Sequence, residues 1–504
     1  MAYSLLLVFL LPTLGIPFVY FAGKKSARAA AFLVALIAAV NMALLFTTVP
    51  TIVTSSNHQY VEPYAWISIL ESEFTLFVDG ISVSLAIITT VLIIVAAIFS
   101  INYMEGKKNL PVYYSLLTLL SLGLVGVFIT SNLLLFYFCW ELMLVPAYFI
   151  IGGWGYRDPY KAAFKFFIFT HAGAVFVLLG IGAIYMVTNT TDMFQAQTAL
   201  LAVSPDLVKW ILLSLTAGFA VKMAVVPVHM WLPDAHSEAP SPMSSLLSGV
   251  IISAGAYAIL RLTLGTVFPA VMGTTFGSDF MHGLAIFGVI SAFFGSLIAL
   301  VETDIKRIIA YSSIAHMGYV MFGLSLFPTS AIAGTVVITA AVTGTVLHLL
   351  THAVSKGLLF LSAGAIMHQT EIRDIREMGG LAGKMPFTAV ASTTAALSIA
   401  GTPPFACFIS EFLIFVGAFE VIKTDNFFLL PTALMLIATV LSLAYSLRYV
   451  SHVFLGKPKT EIKKKILEVP NYMKVAMAIL VVFVIVLGIW PTFFVDLINT
   501  VQFL

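Results

Sequence analysis

Long apolar runs alternate with short polar connections along the whole chain of 504 residues. Many of these runs have about 18 residues or more, which lets a helix cross a hydrocarbon core about 30 Å thick. A soluble fold would need apolar core helices almost without polar faces, which globular proteins rarely build. We therefore expect an all-α integral membrane protein. The pattern predicts about fourteen transmembrane helices, near residues 3–22, 28–49, 78–102, 111–130, 131–152, 162–187, 207–229, 242–264, 281–301, 305–327, 332–366, 386–417, 428–455 and 472–497.

The composition agrees with a membrane protein and gives no support to several other classes. Hydrophobic residues make up 60% of the chain and charged residues only 10%, whereas soluble domains carry about 25% charged residues. The two cysteines, Cys139 and Cys407, lie in apolar runs and form no C-x-x-C pattern, so a metal cluster or redox dithiol finds no support. The net charge of +2 is dispersed over loops and indicates no nucleic-acid partner. The first apolar run lacks a basic leader, so we interpret it as the first spanning helix.

Positive charge is distributed unevenly between two sets of connections. Connections after even-numbered helices hold only Lys209, Lys423 and, at a helix end, Arg261. Cytoplasmic loops are enriched in lysine and arginine, so we expect the odd connections in the cytoplasm, both termini outside, and the chain in the cell (plasma) membrane. The longest connection, residues 50–77, is typical of a short hairpin or an interfacial segment. The connections after odd-numbered helices hold Lys24, Lys25, Arg28, Lys107, Lys108, Arg157, Lys161, Lys165, Lys306, Arg307, Arg373, Arg376, Lys384, Lys457, Lys459, Lys463, Lys464, Lys465 and Lys474.

Three of the predicted spans carry signs of a break. The seventh contains a proline five residues after Lys222, the twelfth contains Gly401-Thr402-Pro403-Pro404, and the eleventh is long with a polar middle. Proline frees a backbone carbonyl, which inside a membrane must face protein or water. Broken helices 7 and 12 suggest two inverted five-helix repeats, helices 4–8 (111–264) and 9–13 (281–455). Helices 1–3 (1–110) precede them and helix 14 (472–504) follows, within one membrane domain spanning 1–504.

Four ionisable residues lie well inside apolar spans: Glu141, Lys222, Lys356 and Glu411. Each costs about 2.5–3.5 kcal/mol at a helix centre on insertion scales. Together they cost on the order of 10 kcal/mol, which is comparable to the stability of a whole domain. Structural pairing of Glu141 with Lys222 is one interpretation. Two acids and two bases spread over both halves favour the other interpretation, a path for protons.

The eleventh span places His348, His352 and Lys356 four residues apart, so their side chains stack on one helix face. Histidine exchanges protons near neutral pH, so the spacing predicts a ladder of proton carriers, which we call the ladder. One alternative is a metal site on the two histidines, but the lysine would repel a cation and no third ligand is evident. Another is that one histidine satisfies a backbone carbonyl freed by a helix break.

Other histidines and acids carry weaker signals. His316 lies in the middle of the tenth span, one turn after Ser312, which suits a central relay and equally suits a hydrogen-bonded core histidine. His171 in the sixth span carries less evidence. A cluster after the seventh span either feeds protons inward from the cytoplasm or forms a solvated loop with helix caps. That cluster consists of His229, Asp234, His236 and Glu238.

Four sequence pieces together resemble the antiporter-like subunits of respiratory complex I. They are Trp140-Glu141 with Pro146, KMAVVPVHMWLPDAHSEAPSP (222–242), DIKRIIAYSSIAHMGY (304–319) and LTHAVSKGLLFLSAGAI (350–366). The resemblance runs from the third helix to the fourteenth. It is strongest to the M-type subunit, also called subunit 4, because Glu411 stands where other complex I paralogues carry lysine. The D-type subunits of Mrp antiporters and the subunits of membrane-bound hydrogenases share the pattern.

The resemblance implies a function and a role for each buried charge. The chain would be a proton-translocating subunit of a redox-driven complex, NADH–quinone oxidoreductase-like or a related dehydrogenase or hydrogenase. Lys222 would load a proton under the influence of Glu141, His316 and the ladder would form a central axis, and Glu411 would release the proton. The alternatives are a Na⁺/H⁺ antiporter subunit of the Mrp D type and a structural membrane anchor.

The resemblance also implies partners. The chain carries no cofactor signature of its own, so iron–sulfur clusters would belong to peripheral redox subunits. Other antiporter-like and small membrane subunits would flank it in the bilayer. Two departures from the M type matter: Ser253 stands at the position of the usual eighth-helix lysine, and Lys356 adds a charge that the M type usually lacks. A serine cannot carry the charge, so the link from Lys222 to the centre must use water or another group.

Overall fold

The computed structural model describes residues 3–70, 72–328, 339–457 and 466–503, and these residues form a helical bundle with one β-hairpin. Twelve helices among them are long and apolar enough to cross a membrane. The predicted class, an all-α integral membrane protein, is confirmed. The helices are α1 (Ser4–Lys25), α2 (Ala27–Thr54), α3 (Gly80–Tyr103), α4 (Leu110–Phe128), α5 (Leu133–Leu142), α6 (Leu144–Trp154), α7 (Pro159–Thr188), α8 (Met193–Leu200), α9 (Pro205–Met223), α10 (Leu232–Glu238), α11 (Ser241–Leu246), α12 (Ile252–Ala258), α13 (Thr275–Val301), α14 (Ile305–Ser325), α15 (Ala340–Thr370), α16 (Pro386–Ile399), α17 (Ala406–Ile422), α18 (Leu429–Phe454), α19 (Asn471–Ile489) and α20 (Thr492–Asn499).

Two predicted spans, the seventh and the twelfth, are not among these twelve helices. The seventh corresponds to α9, which ends at Met223, where Ala224 adopts a left-handed conformation with φ 58°. The twelfth corresponds to α16 and α17, which are separated by a non-helical segment that contains Gly401 with φ +64°. The total of fourteen spans and the two inverted repeats stay predictions.

The break expected in the eleventh span is absent from the part that the structure describes. α15 runs without interruption over 31 residues from Ala340 to Thr370. It contains no proline, and several of its polar side chains bond to the helix backbone or to neighbouring helices, as Thr351 does with Ser410. The polar middle of this span therefore does not interrupt the helix. The beginning of the predicted span, 332–338, lies outside the described residues.

The eighth predicted span departs from regular α-helical geometry in a way that the sequence pattern does not predict. Its 31 residues, Ser241–Val271, include π-helical stretches at Leu247–Ile251 and Ile259–Val267. Such wide turns are rare and appear mostly at functional sites. Residues of this helix are almost all buried, as are those of α15, so these two helices lie at the centre of the bundle.

The connection at 50–77 contains the hairpin that the sequence analysis considered. β1 (Gln59–Ile67) pairs antiparallel with β2 (Ser72–Asp79), in a register that sets Gln59 opposite Asp79. The carboxylate of Glu62 accepts hydrogen bonds from the backbone N–H groups of Leu5 and Leu6, each at 3.0 Å. These are N–H groups of the first turn of α1, which have no acceptor within the helix. The hairpin therefore caps the first helix.

Contacts between loops sort the connections onto two faces of the bundle. On one face, Arg373 pairs with Asp304 and Glu238, which joins the connections after the predicted helices 11, 9 and 7. On the other, the Asn132 side chain bonds to Ser72 and Thr191, which joins the hairpin to the connections after helices 4 and 6. These contacts group odd connections with odd and even with even, as the count of the basic residues requires.

Candidate functional site

The ladder of α15 lies in the interior of the bundle. His348, His352 and Lys356 have no exposed surface, and neither does His316 on α14. Buried groups of this kind are costly in a membrane unless they are paired, hydrated or functional. The structure therefore brings the central relay candidate and the ladder into one buried region.

A chain of hydrogen bonds, which we call the central chain, joins four helices, α14, α15, α17 and α18, through this region. Nδ1 of His316 lies 3.1 Å from Nε2 of His348, and Nε2 of His316 lies 3.2 Å from the hydroxyl of Tyr445 on α18. Nδ1 of His348 lies 2.9 Å from the hydroxyl of Ser410 on α17. Each of these groups both donates and accepts in at least one protonation state. The central chain, Tyr445–His316–His348–Ser410, can therefore pass a proton along its bonds.

Glu411 stands beside the central chain at the edge of the bundle interior. Its Oε1 lies 3.9 Å from Nδ1 of His316 and has no hydrogen-bond partner among the described residues. A groove of about 260 Å³ adjoins the carboxylate and is lined by α17 and α18, with Phe412 and Val440 exposed on its outer side. Glu411 thus connects the buried histidines to an opening on the surface of the bundle.

The same region contains the one grouping with metal-like spacing among the described residues. One ligand atom each of His316, His348 and Glu411 lie within 4.8 Å of one another. The pair considered from sequence, His348 with His352, supplies only one member of this grouping. Because His316 and His348 already bond to each other, these two nitrogens are satisfied without a cation.

The lower part of the ladder contacts α14. Nζ of Lys356 donates to the hydroxyl of Ser312 and, at 3.3 Å, to the carbonyl of Ile309. The ring of His352 lies 5.6 Å from that of His316, centroid to centroid, and its two nitrogens have no partner among the described residues. His352 therefore lies within reach of the central chain but is not hydrogen-bonded to it.

Lys222 and Glu141 do not form the structural pair that the sequence analysis considered. Nζ of Lys222 donates to the carbonyl of Trp140 at 3.0 Å and lies 4.1 Å from the centroid of the Trp140 ring. Glu141 instead lies 3.3 Å from Nδ1 of His171 on α7. The pairing interpretation is wrong for this structure, because a cation–π contact and a helix carbonyl hold the ammonium group. His171, which carried little evidence in the sequence, is the partner of Glu141.

The cluster after the seventh predicted span divides into residues with different surroundings. Asp234 accepts hydrogen bonds from Lys165 and Arg307 at 2.7 and 2.8 Å. Although burial favours the neutral acid, these two bonds hold the pKa of Asp234 below its ordinary value. Glu238 accepts from the backbone N–H groups of Arg157 and Asp158, the two residues that precede α7, and so holds the chain at the entry to that helix.

A cavity of about 440 Å³, which we call the mouth cavity, adjoins these acids. The two histidines of the cluster, His229 and His236, do not line this cavity. The ring of His229 contacts Phe294 on α13, at 4.7 Å between centroids, whereas His236 is fully buried and stacks on Phe360 of α15 at 4.5 Å. Lys165 and Arg307, which the sequence did not single out as site residues, also line the mouth cavity. The mouth cavity is lined by Asp158, Lys161, Ala162, Lys165, Asp234, Ser237, Glu238 and Arg307.

Ser253, in the eighth predicted span, is uncharged and is hydrogen-bonded within its own helix. Its hydroxyl is buried and donates to the carbonyl of Gly249, one turn earlier, at 3.0 Å. It is held by its own helix and gives no direct link between Lys222 and the ladder.

The structure thus has membrane-crossing helices whose titratable side chains are hydrogen-bonded to one another inside the bundle. This arrangement is typical of polytopic membrane proteins that transport ions. Residues 130–442 match the family described as NADH:quinone oxidoreductase/Mrp antiporter, TM. The chain belongs to this family. It is similar to NADH-quinone oxidoreductase subunit M of Rickettsia conorii, with 33% identity over 443 residues, which cover 87% of this chain and 84% of that relative.

Solved structures share the fold. Respiratory complex I from Thermus thermophilus contains a chain with a TM-score of 0.82 and 22% identity, covering 98% of this chain and 97% of that one. The Mrp complex from Dietzia contains one with a TM-score of 0.83 and 21% identity, covering 99% of this chain and 97% of that one. At this identity the two neighbours support the architecture, and the relatives of higher identity support the family.

Proposed function

We propose that this chain is a proton-translocating subunit of a redox-driven respiratory membrane complex of the NADH–quinone oxidoreductase type. The observation that carries the proposal is the central chain, in which His316 bonds to both His348 and Tyr445 inside the bundle. A structural core needs no such series of exchangeable protons. Together with Glu411 at the groove, the series leads from the centre of the bundle to its surface.

Each buried charge has a role in this mechanism. Lys222 takes up a proton from the basic face, which we place in the cytoplasm with both termini outside. A change in the position of Glu141, held by His171, alters the electrostatic field at Lys222 and so its proton affinity. His316 and the ladder carry the proton, and Glu411 delivers it to the groove.

Redox energy reaches this chain from partner subunits. The subunit M relatives are named for NADH-quinone oxidoreductase, and we infer that peripheral partners with iron–sulfur clusters perform the electron transfer. Membrane partners of antiporter-like and smaller types would flank the chain in the bilayer. A Na⁺/H⁺ antiporter subunit is the competing function, since the Mrp neighbour has the same fold.

The test compares charge-removing variants with matched variants on the same helices. Glu411→Gln is expected to lower the number of protons moved per electron in sealed vesicles by roughly 10-fold or more, and Lys222→Met is expected to lower it to about half. Lys209→Met on α9 and Glu420→Gln on α17 change residues at the bundle surface and are expected to leave that number unchanged.

Two results would contradict the proposal. Equal proton-to-electron ratios in both charge-removing variants and the wild type would show that these residues do not carry protons. Sodium-dependent proton exchange in the absence of any electron donor, with no redox subunits co-purifying in mild detergent, would assign the chain to the antiporter function instead.

A further inference from the structure

We propose that protons reach the Lys356 end of the ladder through His236, directly from the mouth cavity and without passing Lys222. This inference rests on the proposed function. It gives the chain two uptake routes on its basic face, one for Lys222 and one for the ladder.

The short helix α10 separates the mouth cavity from α15. Asp234 and Glu238 are four residues apart and line the cavity. His236 lies between them in sequence, and a spacing of two residues turns its side chain to the opposite side of the helix. There its ring stacks on Phe360, with 11° between the ring planes. The α-carbon cylinder of a helix is only about 5 Å across, so one helix backbone separates this ring from the cavity.

His236 faces the charged end of the ladder. Phe360 follows Lys356 by four residues and so lies on the same face of α15. Lys306 and Lys356 both act electrostatically on the His236 ring, and that ring in turn acts on His352. Lys306 is itself held by the carbonyl of Ala239, one residue beyond α10. The His236 ring thus lies between the mouth cavity and the Lys356 end of the ladder, with Lys306 beside it.

The bonding of the His236 ring points to transfer rather than to packing. Both ring nitrogens are buried and have no hydrogen-bond partner among the described residues. Buried polar atoms nearly always have a partner, either protein or an ordered water molecule. Stacking on Phe360 holds the ring while leaving both nitrogens free to accept and release protons through water. A histidine with only a packing role would form a hydrogen bond to a protein group through at least one ring nitrogen.

Ser253 supplies an independent reason for a second route. In the eighth predicted span, the hydroxyl of Ser253 bonds to the backbone of its own helix. A neutral serine does not hand a proton from Lys222 to the ladder as a lysine would. The buried ammonium group of the ladder lies on α15, at Lys356, four residues from Phe360, the residue on which His236 stacks.

The experiment uses the complete complex in sealed vesicles and measures protons moved per electron. His236→Gln and Lys222→Met are each expected to lower the ratio to about half, and the double variant to less than about a tenth, because independent routes add. His452→Gln makes the same substitution at the end of α18, on the same face, and is expected to leave the ratio unchanged. A normal ratio in His236→Gln, or complete loss in Lys222→Met alone, would overturn the second route.

A second variant separates proton transfer from a structural role. His236→Ala removes the ring, and added imidazole is expected to restore the ratio because it can take the place of the missing side chain. A lowered ratio that imidazole does not restore would assign His236 to packing and overturn the inference. A normal ratio in Glu411→Gln as well would contradict the proposed function itself. A lowered ratio in Glu411→Gln together with normal ratios in the His236 variants would contradict only the second route.

A measurement on the unmodified complex covers the case in which neither variant assembles. Deuterium exchange at the imidazole carbon, followed by mass spectrometry, requires water at the ring. Because the inference requires water at the ring and a ring that takes up protons, His236 is expected to exchange within about 10-fold of the rate of His452. Absence of exchange at His236 over the period in which His452 exchanges completely would overturn the inference.

Discussion

The two places where a predicted span leaves helical geometry present opposite helix ends to a buried charge. α9 ends one residue after Lys222, and the ammonium group donates to the carbonyl of Trp140 in the last turn of α5. α17 begins at Ala406, and Glu411 lies in its second turn with its carboxylate against Gly401. Carbonyl ends of helices attract cations and amide ends attract anions. Each break therefore places its charge near a helix end of complementary sign.

Reversing the charge at the first break is expected to have the largest effect. Lys222→Glu would place a carboxylate at a carbonyl end and lose the contact with Trp140. The expected cost is about 4 kcal/mol, from roughly 2 kcal/mol for each of these interactions. The amount of assembled complex and its thermal unfolding midpoint measure it. Lys222→Met is the control, since it removes the charge without reversing it, and an equal loss in both variants would refute the helix-end argument.

A side chain at Gly401 is expected to disturb the second break. An added methyl group would collide with the Glu411 carboxylate, and φ +64° is unfavourable for alanine. Gly401→Ala should cost about 1–3 kcal/mol and lower proton movement by displacing the carboxylate. Gly283→Ala on α13 is the matched control, because its added methyl group meets no atom. Normal transport in Gly401→Ala would show that the carboxylate position is not critical.

The contact between Trp140 and Lys222 is expected to have an intermediate effect. A double-mutant cycle with Trp140→Leu and Lys222→Met should give a coupling energy of about 1–2 kcal/mol, because the leucine removes the ring under the ammonium group. Thermal unfolding of the four proteins provides the values. Trp140→Phe keeps a ring and should retain part of the coupling. Additive effects of the two substitutions would mean that the ring contributes only packing.

The smallest expected effect concerns the backbone at the first break. Ala224 has φ 58°, which costs an alanine about 1 kcal/mol relative to glycine. Ala224→Gly should therefore stabilise the protein by between 0 and about 1 kcal/mol, after the entropy cost of glycine. The control is Ala220→Gly within α9, which should destabilise by about 1 kcal/mol. Destabilisation of equal size at both positions would argue against relief of strain at Ala224.

The helices and the ladder were predictable because each rests on a local pattern. Apolar length gave the spans, and the four-residue spacing gave the shared face of His348, His352 and Lys356. The distribution of lysine and arginine predicted which connections lie on the same face of the bundle. These signals act within one helix or one loop, so they do not depend on the arrangement of neighbouring helices.

The remaining parts of the site depend on contacts between distant segments. His316 and Tyr445 are 129 residues apart, and Glu141 and His171 are 30 residues apart, so no spacing rule connects them. The expected break in the eleventh span was wrong for the residues that the structure describes, because the backbone of α15 stays helical through its polar middle. The π-helical stretches of Ser241–Val271 have no compositional signature, since their residues are as apolar as those of an ordinary span.

The cap of α1 by Glu62 has a consequence for biosynthesis. The first helix leaves the ribosome more than fifty residues before the carboxylate that seals its amino end, since Leu5 and Glu62 are 57 positions apart. The hairpin lies on the face of the even connections, opposite the basic loops. In the orientation that we propose, with both termini outside, the acid crosses the bilayer as α2 inserts, and only then is the first turn of α1 capped.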